Sequence, residues 1–125
     1  LTANIDMSEV ADFAYQTPKV SFSGNLEGNN YYIANLKLNN FVTINQVNYS
    51  GLFSILEGKV KNVNFSNIEI NLDRIDSRFT SNIGLVSGFL KGGIIDEVLI
   101  KGQINLNLPS LNTLKELVVV STIIM

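Results

Sequence analysis

The side chains that could support chemistry in this chain are its carboxylates, because the 125 residues include no histidine and no cysteine. Thiol nucleophiles, histidine general bases and the usual zinc ligand sets are therefore excluded. Acids cluster locally in two places, Asp73 with Asp76 and Asp96 with Glu97. A glycan-cleaving site needs acids that converge on one groove about 5 to 10 Å apart. Adjacent strand residues face opposite sides, so Asp96 and Glu97 do not converge, and we expect no catalytic residues.

The segment from Asp73 to Asp76, with Glu69 nearby, can also be interpreted as a calcium loop. It lacks the regular spacing of acids and the glycine that a dedicated calcium loop requires. A solvated loop is the simpler interpretation. We therefore expect neither a metal site nor a bound cofactor.

The best candidates for recognition are Arg74, Arg78 and Phe79, which lie in the polar segment 73–82. This segment is where the spacing of an otherwise repetitive chain expands. Loops on rigid scaffolds commonly carry recognition, and arginine and aromatic residues are favoured anchors in interfaces. The sequence predicts that these three residues form a partner-binding loop, with a host or cell-surface protein as the partner. The alternative is a solvated insertion without a partner.

Composition excludes several partners. The chain has 9 basic and 11 acidic residues, so it lacks a single-sign field that would attract nucleic acid or an anionic membrane. Its hydrophobic content of 46% predicts one folded module over residues 1–125. No apolar run approaches the ~20 residues of a membrane-spanning helix, and the β-branched run from Leu117 predicts a buried strand. Because Leu1 follows no leader pattern, we interpret the sequence as a piece of a longer chain that would stack on its open ends.

A short tag occurs three times, as Leu26-Glu27-Gly28, Leu56-Glu57-Gly58 and Leu90-Lys91-Gly92. Each tag is followed by three apolar residues with the spacing i, i+3, i+5, and the last two alternate as in a strand. The repeat predicts two stacked columns of side chains. They are Leu36, Val63 and Val98 in one column, and Leu38, Phe65 and Ile100 in the next.

Small polar corners follow the predicted strands, at Asn39-Asn40, Ser66-Asn67 and Lys101-Gly102. Asparagine and glycine tolerate the left-handed backbone angles that such corners require. Short strands in units of this length, with few helix signals, predict a right-handed parallel β-helix, a solenoid fragment of about three coils. The coils span about residues 20–40, 51–72 and 84–106. Residues 107–125 form a cap or the start of the next coil, with a short helix near 110–117.

Four segments carry a resemblance to a known family: Leu1 to Ser8, Phe22 to Leu38, Gly51 to Ile70 and Ile83 to Ile104. They resemble the β-helical, GLUG-type repeat region of bacterial surface proteins like the zinc metalloendopeptidases that cleave immunoglobulin A. The family's turn pattern F-x-G-x-L-[DE]-G-N and its strand pattern N-[LV]-x-[LFV] are both present. The matching residues are Gly24, Leu26, Glu27, Gly28 and Asn29 in the turn, and Asn62, Val63 and Phe65 in the strand.

The resemblance implies a non-catalytic β-helical scaffold or recognition module of a secreted or cell-wall-attached bacterial protein. The peptidase domain of that family carries an H-E-x-x-H zinc site, and a chain without histidine cannot supply it. Two alternatives remain open at this point. One is a polysaccharide-processing β-helix enzyme that works with carboxylates alone, and the other is an adhesin repeat.

Overall fold

The computed structural model describes residues 1–10, 13, 15–107 and 116–120. Over these residues the chain is all-β, and no helix is present in this part. The strands are β1 (Ile5–Asp6), β2 (Asn25–Glu27), β3 (Tyr32–Ala34), β4 (Lys37–Leu38), β5 (Val42–Ile44), β6 (Val47–Ser50), β7 (Phe53–Leu56), β8 (Lys59–Lys61), β9 (Asn64–Leu72), β10 (Thr80–Gly84), β11 (Ser87–Leu90), β12 (Ile94–Asp96), β13 (Leu99–Leu106) and β14 (Glu116–Val120).

The strands form four sheets in which the neighbours are mostly parallel. One sheet, here called the long sheet, has the order β1-β3-β9-β13, and β4 also pairs with β9. The others have the orders β2-β8-β12, β7-β11 and β5-β6-β10-β14. Among the described strands, only β5 and β6 pair antiparallel. Each sheet therefore takes one strand from successive stretches of the chain, so the chain returns to a sheet after it has visited the others.

The hydrophobic core lies where the inner faces of the four sheets meet. Leu56 of β7, Val60 of β8, Ile70 of β9 and Ile83 of β10 are all fully buried, and they belong to one apolar cluster. Each residue alternates with more exposed neighbours along its strand, as expected when one face of a strand packs inward. No single sheet buries these side chains by itself, so the fold depends on contact between sheets.

Strand β9 bends at Asn67, where the backbone is left-handed with φ of 55°. Asparagine adopts this conformation more readily than most residues do, because its short polar side chain can hydrogen-bond locally. On the neighbouring strand β13 the pairing is irregular between Ile100 and Gly102. The corners predicted at Ser66-Asn67 and Lys101-Gly102 thus coincide with irregularities inside two continuous strands.

The predicted columns of apolar side chains are correct for the second and third tags and wrong for the first. Phe65 pairs with Ile100, but its neighbour on the other side is Ile33 rather than Leu38. Leu38 instead pairs with Ile70. The first apolar triplet is therefore displaced by five residues from its predicted register, because Phe65 faces Ile33 instead of Leu38.

A close contact between Gly58 and Gly24 accompanies this displacement of the first repeat. Leu56 pairs with Leu90, as the tags predict, but Leu26 pairs with Val60 rather than with Leu56. The backbone of Gly58 packs so closely on the preceding stretch that an added Cβ would lie 1.9 Å from the carbonyl oxygen of Gly24. The glycine of the second tag is thus aligned with Gly24, and the first tag lies farther along the chain.

Residues 116–120 form a strand where the sequence predicts one. Strand β14 pairs in parallel with β10, and Gly84 lies opposite Val120. The predicted helix near 110–117 lies outside the described residues up to 115. Glu116 and Leu117 belong to β14, so the helix prediction is wrong for these two residues.

Candidate recognition groove

Asparagine side chains are aligned where the strands of the long sheet end. Asn71 lies opposite Asn105, and the amide nitrogen of Asn105 donates a hydrogen bond of 2.7 Å to the Oδ1 atom of Asn71. The pairing of Leu38 with Ile70 brings the next residue, Asn39, beside Asn71 on the other side. We call Asn39, Asn71 and Asn105 the asparagine column.

Alternation along the strands determines which way this column faces. Ile70 and Leu72 are buried in the core, so Asn71 between them points away from it. Asn105 has the same relation to the half-buried Ile104 and Leu106. The apolar neighbours therefore place the amides on the outer surface.

Two adjoining hollows lie against the column. The smaller, of about 510 Å³, is lined by Phe13, Asn39, Asn71, Leu72, Asp73, Asn105 and Asn107. The larger, of about 780 Å³, is lined by Gln16, Asn39, Asn40, Phe41, Asp73, Arg74, Ile75 and Asp76. Asn39 and Asp73 line both hollows. We call the two together the recognition groove.

The loop 73–79 forms one wall of this groove and carries the three predicted recognition residues. Arg74 is exposed and lines the larger hollow. Arg78 forms an ion pair of 2.8 Å with Asp76, and its guanidinium group lies 5.1 Å from the centre of the Phe79 ring. The structure thus brings Arg78 and Phe79 into contact and places Arg74 on the groove wall.

The loop is anchored to the sheets below it. The side-chain amide of Asn48 donates hydrogen bonds to the carbonyl oxygen of Asp76 at 2.7 Å and to the hydroxyl of Ser81 at 3.0 Å. Ile75 packs against the apolar core. The insertion predicted over 73–82 is shorter in the structure, because residues 80–82 belong to β10 and Ser81 is buried.

The ion pair between Asp76 and Arg78 determines whether Asp76 could act as a catalytic acid. The Arg78 guanidinium donates hydrogen bonds to Asp76, which lowers the pKa of that carboxyl, and the same contact raises the pKa of Arg78. Asp76 is therefore an ionised ion-pair partner at neutral pH and is unsuited to act as a general acid. Within the described part of the chain, no group of three or more acids lies close enough to hold a metal ion.

Among the described residues, no helix is long and apolar enough to span a bilayer.

The asparagine column was not predicted from the sequence, although a signal for it exists. The tripeptide Ile-Asn-Leu occurs at residues 70–72 and again at 104–106, and Leu38-Asn39 is the matching pair in the first repeat. Asn35 and Asn62 have equivalent positions after the first two tags, and this predicts an amide ladder between them. The prediction is wrong, because the pairing of Ala34 with Ser66 brings Asn35 beside Asn67 instead. Asn67 donates a hydrogen bond of 2.8 Å to Asn35, while Asn62 donates to the carboxylate of Glu27.

The fold and the groove define an all-β protein with mostly parallel sheets and an amide-lined hollow at the end of one sheet. Comparisons with known protein families, with curated proteins and with solved structures find no match for this chain.

Proposed function

We propose that the chain is a right-handed parallel β-helix that acts as a non-catalytic recognition module, with the loop 73–79 as its protein-binding surface. Parallel pairing of strands from successive stretches of chain supports the β-helix. Crossover connections between parallel strands are right-handed in almost all proteins, which supports the hand.

The observation that carries the function is the exposure of Arg78 on an anchored loop. Its side chain is 76% exposed even though its guanidinium group is held by Asp76 and lies against Phe79. A pre-ordered arginine beside an aromatic ring loses little conformational freedom when it meets a partner. Arg74 on the groove wall extends the same surface toward the asparagine column.

A non-catalytic role is supported by the state of the acids. Asp76 is committed to Arg78, and Asp96 and Glu97 lie at a corner where Glu97 has a left-handed backbone with φ of 52°. A carboxylate enzyme needs a second acid with a raised pKa beside the first. The contact with Arg78 lowers the pKa of Asp76, which is the opposite of the raised pKa that a general acid requires.

Location and partner class follow from the family resemblance of the sequence. The GLUG-type patterns at 22–38 and 51–70 are typical of secreted or wall-attached bacterial surface proteins. We therefore propose an extracellular module that contacts a host or cell-surface protein, either beside a peptidase domain or as an adhesin repeat.

Binding to immobilised immunoglobulin A and to a panel of mucosal surface proteins tests this proposal by surface plasmon resonance. The triple variant R74A/R78A/F79A should weaken binding at least tenfold, because it removes two cations and an aromatic ring from one loop. The matched control is K91A/K101A/F89A, which also removes two cations and one phenylalanine ring, from exposed positions outside the loop. Equal binding by both triple variants, or cleavage of a bound protein by the purified chain, would contradict the proposal.

A further inference from the structure

The recognition groove is lined mainly by neutral amides. Asn39, Asn71, Asn105 and Asn107 line the smaller hollow, and Gln16 joins Asn39 in the larger one. Each amide offers two donors and an acceptor, so it can meet a hydroxyl group, which also donates and accepts. No part of the loop surface proposed above supplies these groups.

Hydrogen bonds within the column leave complementary atoms available. Asn71 uses its Oδ1 atom to accept from Asn105, and no described residue bonds to its amide nitrogen. Asn105 donates to Asn71 at 2.7 Å and to Glu69 at 3.2 Å, and its Oδ1 atom has no partner among the described residues. The column therefore presents a donor at one level and an acceptor at the next, which suits a pair of neighbouring hydroxyls.

The spacing of the column favours a repeating ligand. Paired strands lie about 4.7 to 4.9 Å apart, so successive asparagines recur at roughly that interval. An extended β-linked polysaccharide repeats its rings at a similar interval, whereas an extended peptide repeats every 3.2 to 3.4 Å or so. Phe13 and Phe41 stand on the walls of the two hollows, where ring faces can pack on the apolar faces of sugars.

The residues that line the groove have no excess of positive charge, which disfavours acidic polymers. Asp73 and Arg74 are neighbours on the wall, and Asp76 is paired with Arg78. A polyanion such as a uronic acid polymer or a nucleic acid finds no run of cations along the column. A neutral ligand loses no charge solvation when it enters.

We propose that the asparagine column is the floor of a binding site for a neutral, linear polysaccharide of β-linked pyranose rings. Each ring places neighbouring hydroxyls against one level of the column, and the phenylalanines on the walls hold the ring faces. This function goes beyond the proposed protein contact and uses different side chains.

The test is an NMR titration of the ¹⁵N-labelled chain with cellohexaose and with chitohexaose, followed through the side-chain amide signals of Asn39, Asn71 and Asn105. Hexagalacturonate is the acidic probe, and a hexapeptide of serine and glycine is the extended peptide probe. We expect saturable shifts with a neutral hexasaccharide. Asn71→Ala should raise the Kd roughly fivefold or more, since it removes about one hydrogen bond to the sugar at the middle level of the column.

Asn64→Ala is the matched control, because Asn64 lies on the outer face of the same strand β9 at its other end. It should leave the Kd within about twofold, since the Asn64 side chain lies outside the site and makes no hydrogen bond to the sugar. The variant R78A/F79A, which keeps the groove-lining Arg74, should retain sugar binding, and this separates the sugar site from the protein-binding loop. The proposal is overturned by an absence of saturable shifts with both neutral sugars, by equal weakening in Asn71→Ala and Asn64→Ala, or by tighter binding of the acidic or peptide probe.

Discussion

Strands β9 and β13 lie side by side in the long sheet with the same alternation of apolar residues, yet they differ sharply in burial. Strand β9 has neighbours on both sides, and its Phe65 and Ile70 are 2% and 0% exposed. Strand β13 pairs with β9 alone among the described strands, and the partners of those residues, Ile100 and Ile104, are only half-buried. Alternation therefore determines which side faces inward, while stacked neighbours determine how much area is removed from water.

The largest expected effect comes from truncating the middle strand. Phe65→Ala should lower the free energy of unfolding by about 3 to 5 kcal/mol, because it leaves a cavity that two flanking strands hold open. Ile100→Ala, at the paired position on β13, should cost only about 1 to 2 kcal/mol, since its side chain is already partly solvated. Urea unfolding followed by circular dichroism measures both values. Equal losses at the two positions would contradict the claim that neighbours on both sides make Phe65 more important for stability than Ile100.

Close backbone contact between successive stretches gives the second effect. Gly58→Ala should cost about 2 to 3 kcal/mol, because the new methyl group meets the backbone of Ser23 and Gly24. Gly24→Ala should cost less than about 1 kcal/mol, because its methyl group approaches only the ring of Phe22, at 3.2 Å. Thermal unfolding of the two variants checks the order. A tolerated Gly58→Ala would show that the stretches are not packed at this glycine.

The corner in β9 is expected to have a smaller effect that separates backbone from side chain. Asn67→Gly removes the hydrogen bond to Asn35 but keeps the left-handed angle at low cost. Asn67→Ala removes the same bond and adds about 1 kcal/mol of backbone strain. Alanine should therefore destabilise more than glycine does in urea unfolding. Equal losses in the two variants, which both lack the bond, would place the main role of Asn67 in its hydrogen bond rather than in its backbone.

The smallest expected effect is a pH dependence at Glu27, which joins the first repeat to the second. Hydrogen bonds from the backbone of Asn29 and the side chain of Asn62 lower the pKa of Glu27 from its usual 4.5. A lowered folded-state pKa means that the contribution to stability is complete above pH 4.5 and is lost as the pH falls through the folded value. Stability should decline less steeply below pH 4.5 in Glu27→Gln than in the wild-type chain. Unfolding curves over this pH range measure the difference. If stability falls equally steeply with pH in both proteins, Glu27 does not contribute to it.

The sequence was sufficient to predict the type of structure, but not its register. Alternation at Ile68, Ile70 and Leu72 identifies strand β9, because local sterics and burial act on neighbouring residues. The column through Ile33 was missed because the tag at Leu26 has the same letters as the tag at Leu56 without occupying the same position. The contact that fixes the register, Gly58 against Gly24, joins residues that are far apart in the chain.

In the candidate site, too, the features that depend on local sequence were predicted and those that depend on strand pairing were not. The loop with Arg74, Arg78 and Phe79 stands out by composition alone, and the structure brings Arg78 and Phe79 together. The asparagine column has a weaker signal, the repeated tripeptide Ile-Asn-Leu, which does not by itself show that Asn71 and Asn105 are neighbours. They become neighbours through the pairing of β9 with β13, so the geometry of this part of the groove depends on long-range contacts.

Disulfide trapping in the asparagine column tests the central claim most directly, since the chain has no cysteine of its own. The double variant N39C/N71C should form an intramolecular disulfide on mild oxidation, because strand neighbours about 4.8 Å apart lie within reach of a disulfide. The variant N39C/S66C represents the register that the sequence predicts, in which Leu38 stacks on Phe65, and it should stay reduced. Mass spectrometry of the oxidised proteins reads out both results. A disulfide in N39C/S66C together with free thiols in N39C/N71C would contradict the stacking on which the recognition groove depends.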